Sequence, residues 1–210
     1  GAGLSNTIWA DSNASVSGDG SLGTPFQSLQ DAIDAAELLG KETRKIIMIA
    51  SGSAFDEDVV ITGGLISLMA LGPCTLGDGA GSAFSSTTPR SLTYNNDGAL
   101  TNGKWPSLVI ATIMDDEVSS THTAYMNGFT ISGDLNFDSG SVSHNIQLRN
   151  VKVQGNYVQT GVGGVQTYLR RCFFDNLFTG NSTILNIADS CEFVELVTVI
   201  QHNRIWQCEI

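Results

Sequence analysis

Short runs of β-branched and aromatic residues alternate with Gly, Asn, Asp and Ser along most of the chain, and that texture predicts an all-β fold. One stretch departs from it. From Thr24 to Gly40 the apolar residues Phe26, Leu29, Ile33 and Ala36 recur at helical spacing, which predicts a helix over about residues 28–39. Ser28 with Asp31 reads as a capping box, and Gly40 stands where a C-terminal cap belongs. Thr7-Ile8-Trp9-Ala10 before the helix and the apolar run Lys45-Ile46-Ile47-Met48-Ile49-Ala50 after it predict strands, with a polar loop from Asp11 to Gly23.

The second half repeats. Gly128-Phe129-Thr130-Ile131-Ser132-Gly133 aligns with Asn150-Val151-Lys152-Val153-Gln154-Gly155 and then with Arg171-Cys172-Phe173-Phe174-Asp175-Asn176. Ser190-Cys191-Glu192-Phe193-Val194-Glu195 and Gln207-Cys208-Glu209-Ile210 continue the series, and the steps from Phe129 to Val151, Cys172, Cys191 and Cys208 are 22, 21, 19 and 17 residues. A repeat of this length has too little apolar surface to bury alone, so the pattern predicts a solenoid whose coils share one core.

Alternation within each hexad sorts its side chains. Inward go two columns, Phe129, Val151, Cys172, Cys191, Cys208 and Ile131, Val153, Phe174, Phe193, Ile210. Outward go Thr130, Lys152, Phe173, Glu192, Glu209, with Ser132, Gln154, Asp175 and Val194 beside them. Three of the four cysteines thus share one interior column; a thiol ladder for a metal is one reading, and packing as small hydrophobes is the favoured one. There is no C-x-x-C pair, and no metal is assigned.

Composition narrows the function. With 210 residues, 41% hydrophobic and 15% charged, the chain can bury a core, and no apolar run approaches the roughly 18 residues needed to span a bilayer. Ten Lys+Arg against 21 Asp+Glu give a net charge of −11, which argues against nucleic acid and anionic membranes as partners. Gly18-Asp19-Gly20-Ser21-Leu22-Gly23 spells G-x-G-x-x-G. It stands apart from both the preceding strand and the helix start, so it reads as a turn-rich loop rather than a phosphate cradle.

The N-terminal run Trp9-Ala10-Asp11 with Ser17 to Phe26 and Leu29 to Ala36 resembles the opening of right-handed parallel β-helix proteins of the pectin lyase-like superfamily. Gly128 to Gly133 and Ile146 to Val153 are similar to that family's later coils. The resemblance covers residues 7–70 and 124–210. It implies an all-β, right-handed single-stranded parallel β-helix with an N-terminal capping α-helix: residues 1–40 form the strand, loop and cap, and 41–210 the coils of one continuous domain, with lateral loops around 77–122. The superfamily includes polysaccharide lyases and hydrolases. Asp115-Asp116 and Arg204-Ile205-Trp206 are the only fragments similar to polygalacturonase-like motifs, and no calcium-binding lyase motif is matched, so no cofactor is expected.

One surface cluster is left as a candidate. Two positions before the core column stand Asn127, Arg149, Arg170, Asp189 and Trp206, beside Asp175 and Glu192. The two carboxylates are expected roughly 8 Å apart, a separation that would suit an inverting glycosidase, with Trp206 stacking on a sugar and Arg149, Arg170 and Asp189 binding it. The competing reading is a solvated charge ladder. Asp56-Glu57-Asp58 and Asp115-Asp116-Glu117 read as solvated turns, with calcium the alternative, and His122, His144 and His202 lack ligand spacing. Ile205 to Ile210 stops inside a strand with both columns still running, so Trp206, Cys208 and Ile210 are expected at an oligomer interface.

These readings converge on a non-catalytic structural or attachment module. It is expected on a virion surface, as in phage decoration or spike proteins, and as a homo-oligomer with a trimer preferred. Capsid or tail proteins and polysaccharide are the candidate partners. The alternative is a lyase-like, hydrolase-like or carbohydrate-binding domain, secreted or at a cell surface.

Overall fold

A computed structural model describes residues 6–40, 42–62, 64–72, 74–76, 90–95, 107–112, 124–127, 129–138, 144–160, 165–180, 183–197, 201–202 and 205–206. Strand β1 (Thr7–Ala10) precedes helix α1 (Leu29–Leu38), and one coil then runs β2 (Lys45–Ile49), β3 (Ala54–Phe55), β4 (Val59–Ile61). The next is β5 (Leu65–Ala70), β6 (Cys74–Leu76), β7 (Leu92–Asn95), after which β8 (Ser107–Thr112) adds a strand. Two further coils are β9 (Ala124–Asn127), β10 (Phe129–Ile131), β11 (Leu135–Asp138) and β12 (His144–Arg149), β13 (Lys152–Val153), β14 (Tyr157–Thr160). Then come β15 (Val165–Arg170) with β16 (Phe173–Gly180), β17 (Thr183–Asp189) with β18 (Glu192–Val197), and β19 (Gln201–His202) with β20 (Ile205–Trp206).

These strands stack in parallel, as the repeat predicts for an all-β solenoid. The first sheet runs β1-β2-β5-β8-β9-β12-β15-β17-β19, with β20 also on β17. The second has two arms that meet in β16: β3-β6-β10-β13 joins Phe173 and Phe174, whereas β4-β7-β11-β14 joins Phe178 to Gly180. β8 belongs to the first sheet alone, because β6 and β10 pair directly across that level. With β7, it is one of the two described strands of the region expected to carry lateral loops.

Every described member of the two inward columns is buried, from Phe129 and Val151 to Cys172 and Cys191, and from Ile131 and Val153 to Phe174 and Phe193. Cys74 joins the first column, since it pairs with Phe129. Cys208 and Ile210, and the interface expected there, lie outside the described residues; Trp206 is placed by its backbone in β20. Outside stand Phe173 and Val194, 44% and 64% exposed. Ser132 departs from the outward expectation and is buried. The chain leaves the strand there, and the hydroxyl turns to accept the Arg90 N–H at 3.0 Å.

The corners explain themselves physically. Between the first sheet and the nearer arm, Asn150, Arg171 and Ser190 sit one below another at φ of 50°, 52° and 54°. The left-handed region costs a non-glycine residue about 1–2 kcal/mol, and here the bend is held by neighbouring coils: Asn150 N–H donates to Arg170 O at 3.0 Å and Arg171 N–H to Asp189 O at 2.9 Å. Between the arms, a Cβ on Gly155 would stand 2.4 Å from the Gly133 carbonyl carbon, so only glycine lets these two turns stack.

Helix α1 begins as its sequence predicts, Ser28 Oγ accepting the Asp31 N–H at 3.0 Å, and Gly40 follows it at φ 93°. Its apolar face, Leu29, Ala32, Ile33 and Ala36, is buried on the core. Lys45, the first residue of the run read as an apolar strand, points inward with Ile47 and Ile49 and is 1% exposed. It lines a cavity of about 20 Å³ beside Ala36, Glu37 and Gly40, near the helix C-terminus, where a cation is favoured. Desolvation draws its pKa below the usual lysine value. Among the described residues no helix is long and apolar enough to cross a membrane.

Candidate functional site

Three coils place the candidate side chains on the outside of the first sheet. In β12 and β15 the alternation sends Leu148 and Leu169 into the core, so Gln147, Arg149, Tyr168 and Arg170 face outward. Strand register then lines up the expected ladder: Arg149 pairs with Asn127 and Arg170, Arg170 with Asp189, and Asp189 with Trp206. A second outward column, Tyr125, Gln147 and Tyr168, runs beside it.

The two columns line an open cavity of about 220 Å³ with Gln147, Arg149, Tyr168, Arg170 and Asp189. That is below the usual range for a drug-sized ligand, and it suits a single ring or acidic group. Tyr125 is fully buried although it lies on the outward side, packed by Met69, and the Arg149 guanidinium carbon stands 5.9 Å from its ring centroid. Such a cation–π contact presents the guanidinium while the ring holds its plane. Arg170 and Asp189 approach to 3.7 Å with side chains 53% and 40% exposed, a pair that contributes little energy and leaves both groups able to meet a ligand.

The two candidate catalytic carboxylates stand elsewhere. The bend at Arg171 and Ser190 turns the chain between sheets, so Asp175 and Glu192 belong to the second sheet while the arginine ladder belongs to the first. Asp175 is engaged by Lys152 at 2.8 Å, and Glu192 is exposed in register with Phe173. Neither stands beside the Arg149–Asp189 cavity.

Two other motifs resolve into structural joints. In the Gly18–Gly23 loop the N–H groups of Gly18, Gly20 and Thr24 donate to Pro25 O, Thr24 O and Ser21 O, and that of Ser21 to the Asp19 carboxylate at 3.0 Å, so these amides are spent on closing the loop itself. Hydrogen bonds from Thr24 and Ser21 hold the Asp19 carboxyl at about 2. The acidic run expected to be a solvated turn is tied into the fold. Asp56 pairs with Arg90 at 2.8 Å, Asp58 accepts the Ser91 N–H at 2.8 Å, and Glu57 accepts the Leu29 N–H at 2.5 Å and the Ser28 hydroxyl at 2.7 Å. Sequence reading had no spacing rule that could find these partners, which lie 28 to 34 positions away.

Asp115-Asp116-Glu117, His122 and Arg204 lie outside the described residues; among those described, no group of three or more His, Cys, Asp or Glu could hold a metal ion. Comparison with family models, curated proteins and solved structures returned no match to the chain.

Proposed function

We propose that the chain is a right-handed parallel β-helix of the pectin lyase-like kind and a non-catalytic attachment module. It works as a homo-oligomer on a virion surface and holds an acidic polysaccharide along the outside of the first sheet. The observation that carries the binding role is the register of Asn127, Arg149, Arg170 and Asp189 along consecutive coils, bordering the Arg149–Asp189 cavity. Guanidinium groups a coil step of about 4.8 Å apart meet successive carboxylates or hydroxyls of an extended chain, and Arg grips a carboxylate through paired donors. The overall charge of −11 opposes an anionic ligand at long range, so binding is local and weakens with salt. Binding rather than cleavage is supported by the engagement of Asp175 with Lys152 on the other sheet.

Calorimetry with uronate oligosaccharides and with neutral ones of equal length tests the reading. Arg149→Ala and Arg170→Ala are each expected to weaken uronate binding about tenfold, the loss of one charge-assisted contact, with no release of reducing ends by any variant. Binding indifferent to both arginines would remove the site, and turnover on any acidic polysaccharide would restore the enzyme reading. Sedimentation of the wild type and of Trp206→Ala tests the assembly, a stable monomer at micromolar concentration contradicting it.

A further inference from the structure

Cys172 and Cys191 occupy consecutive positions of the inward column, in register because the next residues, Phe173 and Glu192, pair across β16 and β18. The Glu192 N–H donates to Cys172 O at 2.9 Å, which fixes the two coils against each other at this point. Both thiols point the same way, since Cys172 Sγ donates to Arg170 O and Cys191 Sγ to Asp189 O, each at 3.4 Å and each two residues back. Cys172 Sγ also reaches Leu148 O at 3.2 Å. No disulfide joins the described cysteines.

Side chains of like direction on adjacent strands stand about one strand spacing apart, about 4.8 Å. A metal–thiolate bond is about 2.3 Å, so that spacing is about the span of a linear sulfur–metal–sulfur unit. The surroundings are apolar, with Val151, Phe174 and Phe193 all buried in the same core. Among the described residues no third His, Cys, Asp or Glu completes a larger cluster. Among the described residues the site holds two soft donors and no hard one, a set that disfavours zinc, which takes four ligands, and favours a soft cation content with two.

We propose that Cys172 and Cys191 form a two-thiolate site for a monovalent soft metal ion, copper(I) or silver(I), bridging consecutive coils inside the solenoid. Both S–H bonds break and two S–metal bonds form; two protons leave to solvent and no electron is transferred. Both sulfurs are buried, Cys172 at 0% and Cys191 at 3% exposure, so an ion held between them is shielded from water.

Anaerobic titration of the reduced full chain with silver(I), and with copper(I) against a chromogenic chelator, is the test. One ion per chain is expected, with two protons released, a melting temperature that rises with metal concentration, and two of the four thiols protected from reagent after unfolding. Cys172→Ala and Cys191→Ala should each abolish the tight step, and Cys74→Ala should leave it intact. Binding that survives either of the first two substitutions, or falls equally with Cys74→Ala, overturns the proposal. X-ray absorption on the loaded wild type keeps the answer independent of variant folding: two sulfur neighbours support the site, and any other number sinks it.

Discussion

At the helix-capped end the strands are closed by side chains unlike themselves, whereas from β9 to β17 each strand is closed by the next of its own kind. Beside α1, strand β4 pairs with β7 on one side only. Its other edge is met by Gln30, whose amide oxygen accepts the Val60 N–H at 2.8 Å and whose amide nitrogen donates to Val60 O at 3.0 Å, as a neighbouring strand would. Glu37 accepts the Thr62 N–H and hydroxyl at 2.8 and 2.7 Å. In the later coils like packs on like: Tyr157 and Phe178 stack at 4.3 Å, Phe174 and Phe193 at 5.3 Å, with edge contacts between the pairs. A repeat can satisfy its own edges only where another copy lies beside it, so the end needs a separate solution that the repeat does not contain.

The largest effect that could break this contrast lies in the aromatic column. Phe174→Ala or Phe193→Ala should cost about 3–5 kcal/mol, because each removes a large buried side chain that its neighbours cannot replace. Phe173→Ala, one position away and 44% exposed, should cost under about 1 kcal/mol. Urea midpoints decide it. A Phe173 variant as damaged as the Phe174 one would mean the coils are not closed by like-on-like stacking of the inward residues.

Next is the corner between the arms. Gly155→Ala drives a methyl into the Gly133 backbone and should cost about 1–3 kcal/mol, with coil-wide loss of amide protection rather than local fraying. A neutral substitution would show that the turns can separate without harm, and the coil-on-coil half of the contrast would fail.

Smaller, and confined to the capped end, is the loss of its side-chain links. Glu57→Ala leaves the Leu29 N–H and the Ser28 hydroxyl without their carboxylate and should cost about 1–2 kcal/mol. Gln30→Ala should expose the Val60 amide to exchange. Protection around Phe174 should not change in either, and if it does, end and middle are one cooperative unit.

The smallest effect is a pH dependence in the Gly18–Gly23 loop. Hydrogen bonds from Thr24 and Ser21 hold the Asp19 carboxyl down at about 2, below the ordinary aspartate value of 3.8, so its contribution is fully present above about pH 4 and is lost as pH falls toward 2. Exchange of the Ser21 amide should rise through that window, and Asp19→Asn should exchange fast at every pH. A flat profile would show that the loop is held by its backbone bonds alone.

Much of this contrast could be read before any coordinates. Period-two alternation named Val151, Cys172 and Phe174 as interior and Phe173 as exterior, because the direction of a strand side chain depends only on its immediate backbone. Helical spacing with Ser28 and Gly40 bounded α1 to within a residue, since capping is equally local. The ladder of Arg149, Arg170 and Asp189 followed from the same counting. Its separation from Asp175 and Glu192 did not: the left-handed bend at Arg171 is adopted by a residue type that rarely signals it. Cys74 escaped the column because 55 residues separate it from Phe129, against 17 to 22 between the later members.

What is repeated is written locally in the chain: which side chains enter the core, how many residues make a coil, and where a helix interrupts the strands. What is joined across coils emerges only on folding, from Glu57 on the helix N-terminus and Gln30 along β4 to Cys172 over Cys191 and Gly155 against Gly133. The two differ in range. Side-chain direction and capping are set within about a turn of chain, whereas which groups meet depends on corner geometry and on how many residues each coil spends between strands.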